Sequence, residues 1–376
     1  MMLTIMKRFL SLITVLACSA LPLIAGKVIQ KATKGTPSIG RINVINFAPG
    51  GVLLIGDGSR QQIIAIEAGT KKAKGSFKNT KSFRAKIAGR LGVATEDLEI
   101  IDMAVNPDSG HLFVAARKQD DKSYLILRVS PGGAIEHFQL KSVSYARVPI
   151  PAGDKAKVSS VTDVAWAGDR LVASARCSEE FASKIFSTEG ALVHDQAGQL
   201  FSAETYHVSH RRWETKAPMS VLIPYEEDGK QYIVGAFSCT PVVKYPLDDV
   251  KPGAKIKGIS MIELGSGNRP LDMFAYNSKG KASVLSNTYR FHHKRRPFGP
   301  SPYWAVRFDQ AVLSDNDKTN ENATRRLKGY EPAVDSMEMV DAYHGVVQMD
   351  QLNDKTAIAL KTAEGDDFDL VTIALP

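Results

Sequence analysis

Cysteine is scarce in this 376-residue chain, with three in all. A small scaffold held together by a disulfide framework is thereby excluded. Long apolar stretches are missing too: past the first 26 residues no run is long enough to cross a bilayer as a helix. Recurring amphipathic helices are absent. "SFRAKIAGRLGVATEDLEIID" offers one short helix, once, which disfavours helical solenoids and βαβ folds. The chain carries no Gly-rich phosphate loop, no nucleophile elbow and no HExxH pair. What it does have is a globular balance, 44% apolar and 23% charged, enough to bury a sizeable core.

The first residues stand apart from that core. Lys7 and Arg8 precede an apolar run, Phe9 to Ala17, and Pro22 breaks the stretch soon after it. With small residues at Ala25 and Gly26, residues 1–26 read as a secretory signal peptide. "VLAC", ending at Cys18, is a loose lipoprotein-type alternative, in which lipidated Cys18 would anchor the chain to a membrane. The expected location is periplasmic or extracellular. Without the leader, 46 basic residues face 40 acidic ones, a mild excess of +6 that permits an acidic partner.

The remainder repeats one phrase. "VINFAPGGVLLIGDGS", "IDMAVNPDSGHLFVAARKQ", "VTDVAWAGDRLVASARC", "VLIPYEEDGKQYIVGAFSC" and "PLDMFAYNSKGKASVLSN" each hold an apolar segment, a turn and a second apolar segment. That is a hairpin signal. The second segments end in small residues (Gly56, Ala115, Ala116, Ser174, Ala175, Gly235, Ala236, Ser286), which suits strands crowded near an axis. Asp102, Asp163 and Asp272 hold the same place, 61 and 109 residues apart, and 109 is close to twice a period of about 55. Asn46 and Asp335 extend the series at either end.

A lone four-stranded sheet cannot bury both faces, whereas a ring of such sheets buries every face against a neighbour. The expected fold is all-β: residues 27–39 as a short linker, then one β-propeller over 40–376. It would have six or seven four-stranded blades. "IGRINVINF" and "FDLVTIAL" would join in one closing blade. "IDMAVNPDSGHLFVA" and "VTDVAWAGDRLVAS" resemble secreted bacterial β-propellers of the NHL and YVTN repeat type. That resemblance implies a fold and no particular activity.

Aligning the units places Asp57, Arg117, Cys177, Cys239 and Asn287 near one level, a candidate polar ring for a ligand. Cys177 and Cys239 fall in adjacent units; a disulfide, separate buried thiols and a ligand-binding thiol pair are the three readings. They are expected on one face of the ring. "YHVSHRRWE" and "RFHHKRRPF" read as two exposed basic loops. His207 and His210, three apart, could share a metal, with Arg211 beside them, though no thiol or carboxylate stands at a familiar spacing. With so mild a charge, nucleic acid is not an expected partner. Trp166, Trp213 and Trp304 stand in dissimilar contexts, which excludes quinone-cofactor propellers with a recurrent tryptophan docking motif. The expectation is a non-enzymatic exported propeller binding a protein or small anionic ligand on one face. The alternative is a lactonase-like propeller hydrolase whose cofactor is a central divalent metal, recruiting Asn268, Asp272 and Asn287.

Overall fold

The computed structural model describes residues 27–151, 157–248, 254–265, 267–297, 299–314, 318–323 and 337–376. The proposed leader, with Cys18, and Asp335 lie outside them. The rest is strand-dominated, with one nine-residue helix, Phe83–Leu91.

Six largely antiparallel sheets form the blades, with the second built within the first along the chain. Blade I has Val44–Ala48 innermost, then Val52–Asp57, Gln62–Glu67 and Val143–Pro149. Blade II comprises Leu98–Val105, Leu112–Lys118, Tyr124–Val129 and Ile135–His137. Blade III comprises Val158–Ala167, Arg170–Cys177, Ser183–Ser187 and Gln199–His207, extended by Arg212–Glu214. Blade IV runs Met219–Glu227, Lys230–Phe237, Pro241–Pro246, Ile259–Glu263. Blade V runs Asn268–Ser278, Lys281–Arg290, Tyr303–Asp309, Met337–Met339. Blade VI has three strands, Val346–Asn353, Thr356–Thr362 and Phe368–Ala374.

The second strands explain the small residues seen in sequence. A Cβ on Gly56 would lie 2.7 Å from methyls of Val44 and Val161, so the Val161 side chain of blade III packs directly on the backbone of blade I there. Each apolar cluster spans two blades. Leu53, Ile55 and Ile64 meet Phe113 and Ile126 between I and II. Leu54 and Val148 meet Val164 and Leu171 between I and III. Leu112 and Leu127 meet Ile358 and Leu360 between II and VI. Three further clusters join III to IV, IV to V and V to VI.

The ring therefore reads II–I–III–IV–V–VI and back to II, an order different from the chain's. After three strands of blade I the chain leaves, builds all of blade II, and returns to lay Val143–Pro149 antiparallel on Gln62–Glu67. The expected closing blade shared by the chain ends is thus corrected. Phe368–Ala374 belongs to blade VI and Val44–Ala48 to blade I, and closure is made by blade VI packing on blade II. The outer edge of blade VI is covered from far away in sequence: Thr80 bridges Leu370, and Asp367 accepts hydrogen bonds from the Arg84 and Ala85 amides at the start of the helix. Residues 27–39 carry two short strands, Ile29–Lys31 against Leu192–Val193 and Thr33–Gly35 against Val143–Tyr145.

Candidate functional site

A channel of about 600 Å³ runs through the ring, lined by Asp102, Asp163, Asp272 and Asp350. Asp102, Asp163 and Asp272 each come directly after a β-bulge in an innermost strand. The bulge turns the side chain sideways, toward the next blade. Asp102 Oδ2 accepts the Ile45 amide at 2.7 Å, Asp163 Oδ2 that of Leu222 at 2.7 Å, and Asp272 Oδ2 that of Met349 at 2.8 Å. Asp350 accepts the Val105 amide at 2.6 Å, and Asn46 Nδ2 donates to the Val164 carbonyl at 2.8 Å. Every link points the same way around the ring. Asp102, Asp163 and Asp350 spend their second oxygen on the amide of the next residue in the chain.

No cation pairs with these carboxylates among the described residues. Burial raises all four, and repulsion from other ring aspartates adds to it for Asp102, Asp163 and Asp272: Asp102 stands well above its ordinary range, Asp163 at about 7, Asp272 at about 8 and Asp350 at about 6. Of the amides named for a central metal, Asn287 has its oxygen engaged, whereas the Asn268 Oδ1 has no hydrogen-bond partner. Asn287 Oδ1 accepts the Asp272 amide and its Nδ2 donates to the Val346 carbonyl, while Asn268 Nδ2 donates to Leu264 O.

The five-residue ring read from sequence is divided by the structure. Asp57 is fully buried and ties down a turn, accepting the amides of Gly40, Arg41 and Arg60. Arg117 pairs with Glu99 at 3.6 Å and lies over Tyr124. Asn287 sits within its strand opposite Asp272. Cys177 ends the second strand of blade III, and Cys239 lies just past the second strand of blade IV, on the same side of adjacent blades. Both are free thiols. Burial pushes the Cys177 thiol up to about 11.

Cys239 instead meets the histidines. Blade III's fourth strand ends at His207, and a 3-10 turn, Val208–His210, comes next, closed by Arg211 at φ 51°. The turn brings His210 back over His207, and the two imidazoles meet tilted at 44° with centroids 4.0 Å apart. The loop after Phe237 brings Cys239 in from blade IV, held by Thr240 at φ 94°, costly for a β-branched residue. One ligating atom each of His207, His210 and Cys239 lies within 4.8 Å of the others. His207 is buried rather than on an exposed loop, while His210 is exposed. The His207 Nε2 contacts Ser209 Oγ at 2.8 Å and Glu263 Oε2 at 3.3 Å; Glu214 Oε2 lies 3.8 Å from Nδ1. Burial alone would lower His207, but Cys239, Glu214 and Glu263 outweigh it and push it up to about 11. His207 in turn holds Glu214 down to about 2. Sequence carried no sign that Cys239 joins His207, because the two sit in different blades.

The same face carries the basic loops. Antiparallel alternation puts the ends of second and fourth strands on one side, so Arg211, Arg212 and Trp213 of blade III share a face with Phe291, His292, Lys294 and Arg295 of blade V. Trp213, 39% exposed, and Phe291, 52% exposed, are the large apolar side chains most open to solvent among the described residues. Lys257 lies 5.5 Å over the Trp213 ring.

Fold and channel together define the chain as a six-bladed β-propeller. No protein-family model and no curated protein matches it. Among solved structures it is similar to the PQQ-bound form of an aldose sugar dehydrogenase from Streptomyces coelicolor, at 13% identity over 92% of this chain and 99% of that one, TM-score 0.33. It is also similar to a chain of the yeast Nup82-Nup159-Nup116 nucleoporin complex (10% identity, 94% and 100% covered, TM-score 0.41). A third is the allergen Mala s 1 of Malassezia sympodialis (9%, 88% and 92%, TM-score 0.39). These likenesses are too distant to carry an argument about activity.

Proposed function

We propose that the protein is an exported, non-enzymatic propeller of the NHL/YVTN-like kind that binds an anionic protein or small ligand on one face. The observation that supports this reading is the pairing of exposed aromatic with basic side chains there: Trp213 with Arg211, Arg212 and Lys257, and Phe291 with Lys294 and Arg295. Aromatic and arginine side chains dominate binding energy at interfaces, and basic ones steer acidic partners. The hydrolase alternative is less well supported, because each channel carboxylate commits one oxygen to the backbone of a neighbouring blade, and three of the four commit the other to their own strand.

The test is titration with an anionic probe, polyglutamate, at two ionic strengths. Binding should weaken with salt, and Arg211→Glu/Arg212→Glu should reduce it at least about tenfold, about 1.4 kcal/mol. Equal binding by native and charge-reversed protein refutes the reading. Intact mass from the native host should begin near residue 27; a mass beginning at Cys18 with added lipid would instead mark a lipoprotein.

A further inference from the structure

We propose that His207, His210 and Cys239 form a binding site for a zinc-type divalent transition-metal ion at the junction of blades III and IV, with Glu263 orienting His207. Among the described residues they are the group of three or more histidine, cysteine or acidic side chains whose ligating atoms converge. Imidazole and thiolate together favour zinc and its neighbours over calcium or magnesium.

The polar atoms around the cluster point the same way. His207 is 2% exposed, and its Nδ1 has no hydrogen-bond partner. Its Nε2 faces Ser209 Oγ at 2.8 Å and the buried Glu263 carboxylate at 3.3 Å. A metal-bound histidine has this surround: one ring nitrogen donates its hydrogen to a carboxylate and the other offers a lone pair. Glu263 is itself fixed, its Oε1 accepting the Ser209 amide at 3.1 Å. Glu214 Oε2, 3.8 Å from Nδ1, supplies a fourth donor, or solvent does.

The fit requires little movement. With zinc–nitrogen bonds of about 2.0 Å and a zinc–sulfur bond of about 2.3 Å, tetrahedral donors stand roughly 3.3–3.6 Å apart. The present spread of up to 4.8 Å must close by about 1 Å. Rotation of exposed His210 and half-buried Cys239 provides that, while His207 stays fixed. On binding, the Cys239 thiol and the His207 imidazolium, which the neighbouring carboxylates keep protonated, each yield a proton to solvent. The site opens onto the face that carries the basic loops, but the proposal stands whether or not that face takes an anionic partner.

The test uses the full chain, stripped with a chelator and titrated with cobalt(II), then zinc(II). One equivalent of cobalt should give a thiolate-to-metal charge-transfer band with tetrahedral visible bands, bleached by one equivalent of zinc. Cys239→Ser should abolish the charge-transfer band, and Cys177→Ser should leave it intact. Glu263→Gln should keep the band but weaken affinity about 10–100-fold. Should His207→Ala fail to fold, His210→Ala and Cys239→Ser, at more accessible positions, carry the test. Absence of the band in native protein, or its survival in Cys239→Ser, overturns the proposal.

Discussion

The carboxylate ring makes stability fall as pH rises. Asp163 and Asp272 have an ordinary value of 3.8, raised in the folded chain to about 7 and about 8, chiefly by burial. The folded state thus holds protons that the unfolded state has released, so stability is full below about pH 4 and declines as pH rises through the folded values. For Asp163 the difference corresponds to about 4 kcal/mol at roughly 1.4 kcal/mol per pH unit. Asp163 is only half-buried, so solvent screening discounts it, and about 2 kcal/mol is the working figure. Asp163→Asn removes the charge while Oδ1 can still accept the Leu222 amide. Urea melts at pH 5, 7 and 9 should show native stability dropping across the series, and the slope should be shallower in Asp163→Asn and shallower again in Asp163→Asn/Asp272→Asn. His207, pushed up to about 11, tilts the native curve in the same direction, so the diagnostic is the difference between native and variant. Identical slopes in all three proteins would refute the reasoning.

Other consequences are equally direct. Asp350→Ala should speed hydrogen exchange at the Val105 amide, which it holds at 2.6 Å, and cost about 1–3 kcal/mol; unchanged exchange there would contradict the contact between blades VI and II. Gly58→Ala should destabilise by about 1–3 kcal/mol, because a Cβ would stand 2.5 Å from the Ser160 Cα, and a neutral result in thermal melts would refute that approach. Phe113→Ala, which removes a buried ring packed on Phe47 and Phe138, should cost about 3–5 kcal/mol in chemical denaturation. In native protein Cys239 should react with a thiol reagent well before buried Cys177, and equal rates would contradict their placement.

The repeat was legible because it reflects local physics. A bulge beside the axis wants a short acceptor, and Asp102, Asp163 and Asp272 mark three such bulges at recognisable spacing. Asp350 escaped notice because it lies two residues past its bulge. The swapped order of blades I and II was not legible, since Ile, Val, Leu and Ala faces pack equally well on either neighbour and the spacing is the same in both orders. Of the site, the register of Cys177 and Cys239 and the spacing of His207 and His210 were visible. Their convergence depends on how the fourth strand of one blade meets a loop of the next, which no local pattern encodes.

The detour through blade II has a temporal consequence. Gln62–Glu67 waits for its outer partner, Val143–Pro149, through roughly 80 intervening residues, which at about 5–20 residues per second takes some 4–16 s of synthesis. Throughout that interval a buried, isoleucine-rich strand is a bare edge, competent to pair with the same strand of another nascent chain. The last strand of the first blade acts as a latch, set only after the second blade is whole. The unfinished chain, rather than the finished ring, is where this edge is most exposed to aggregation.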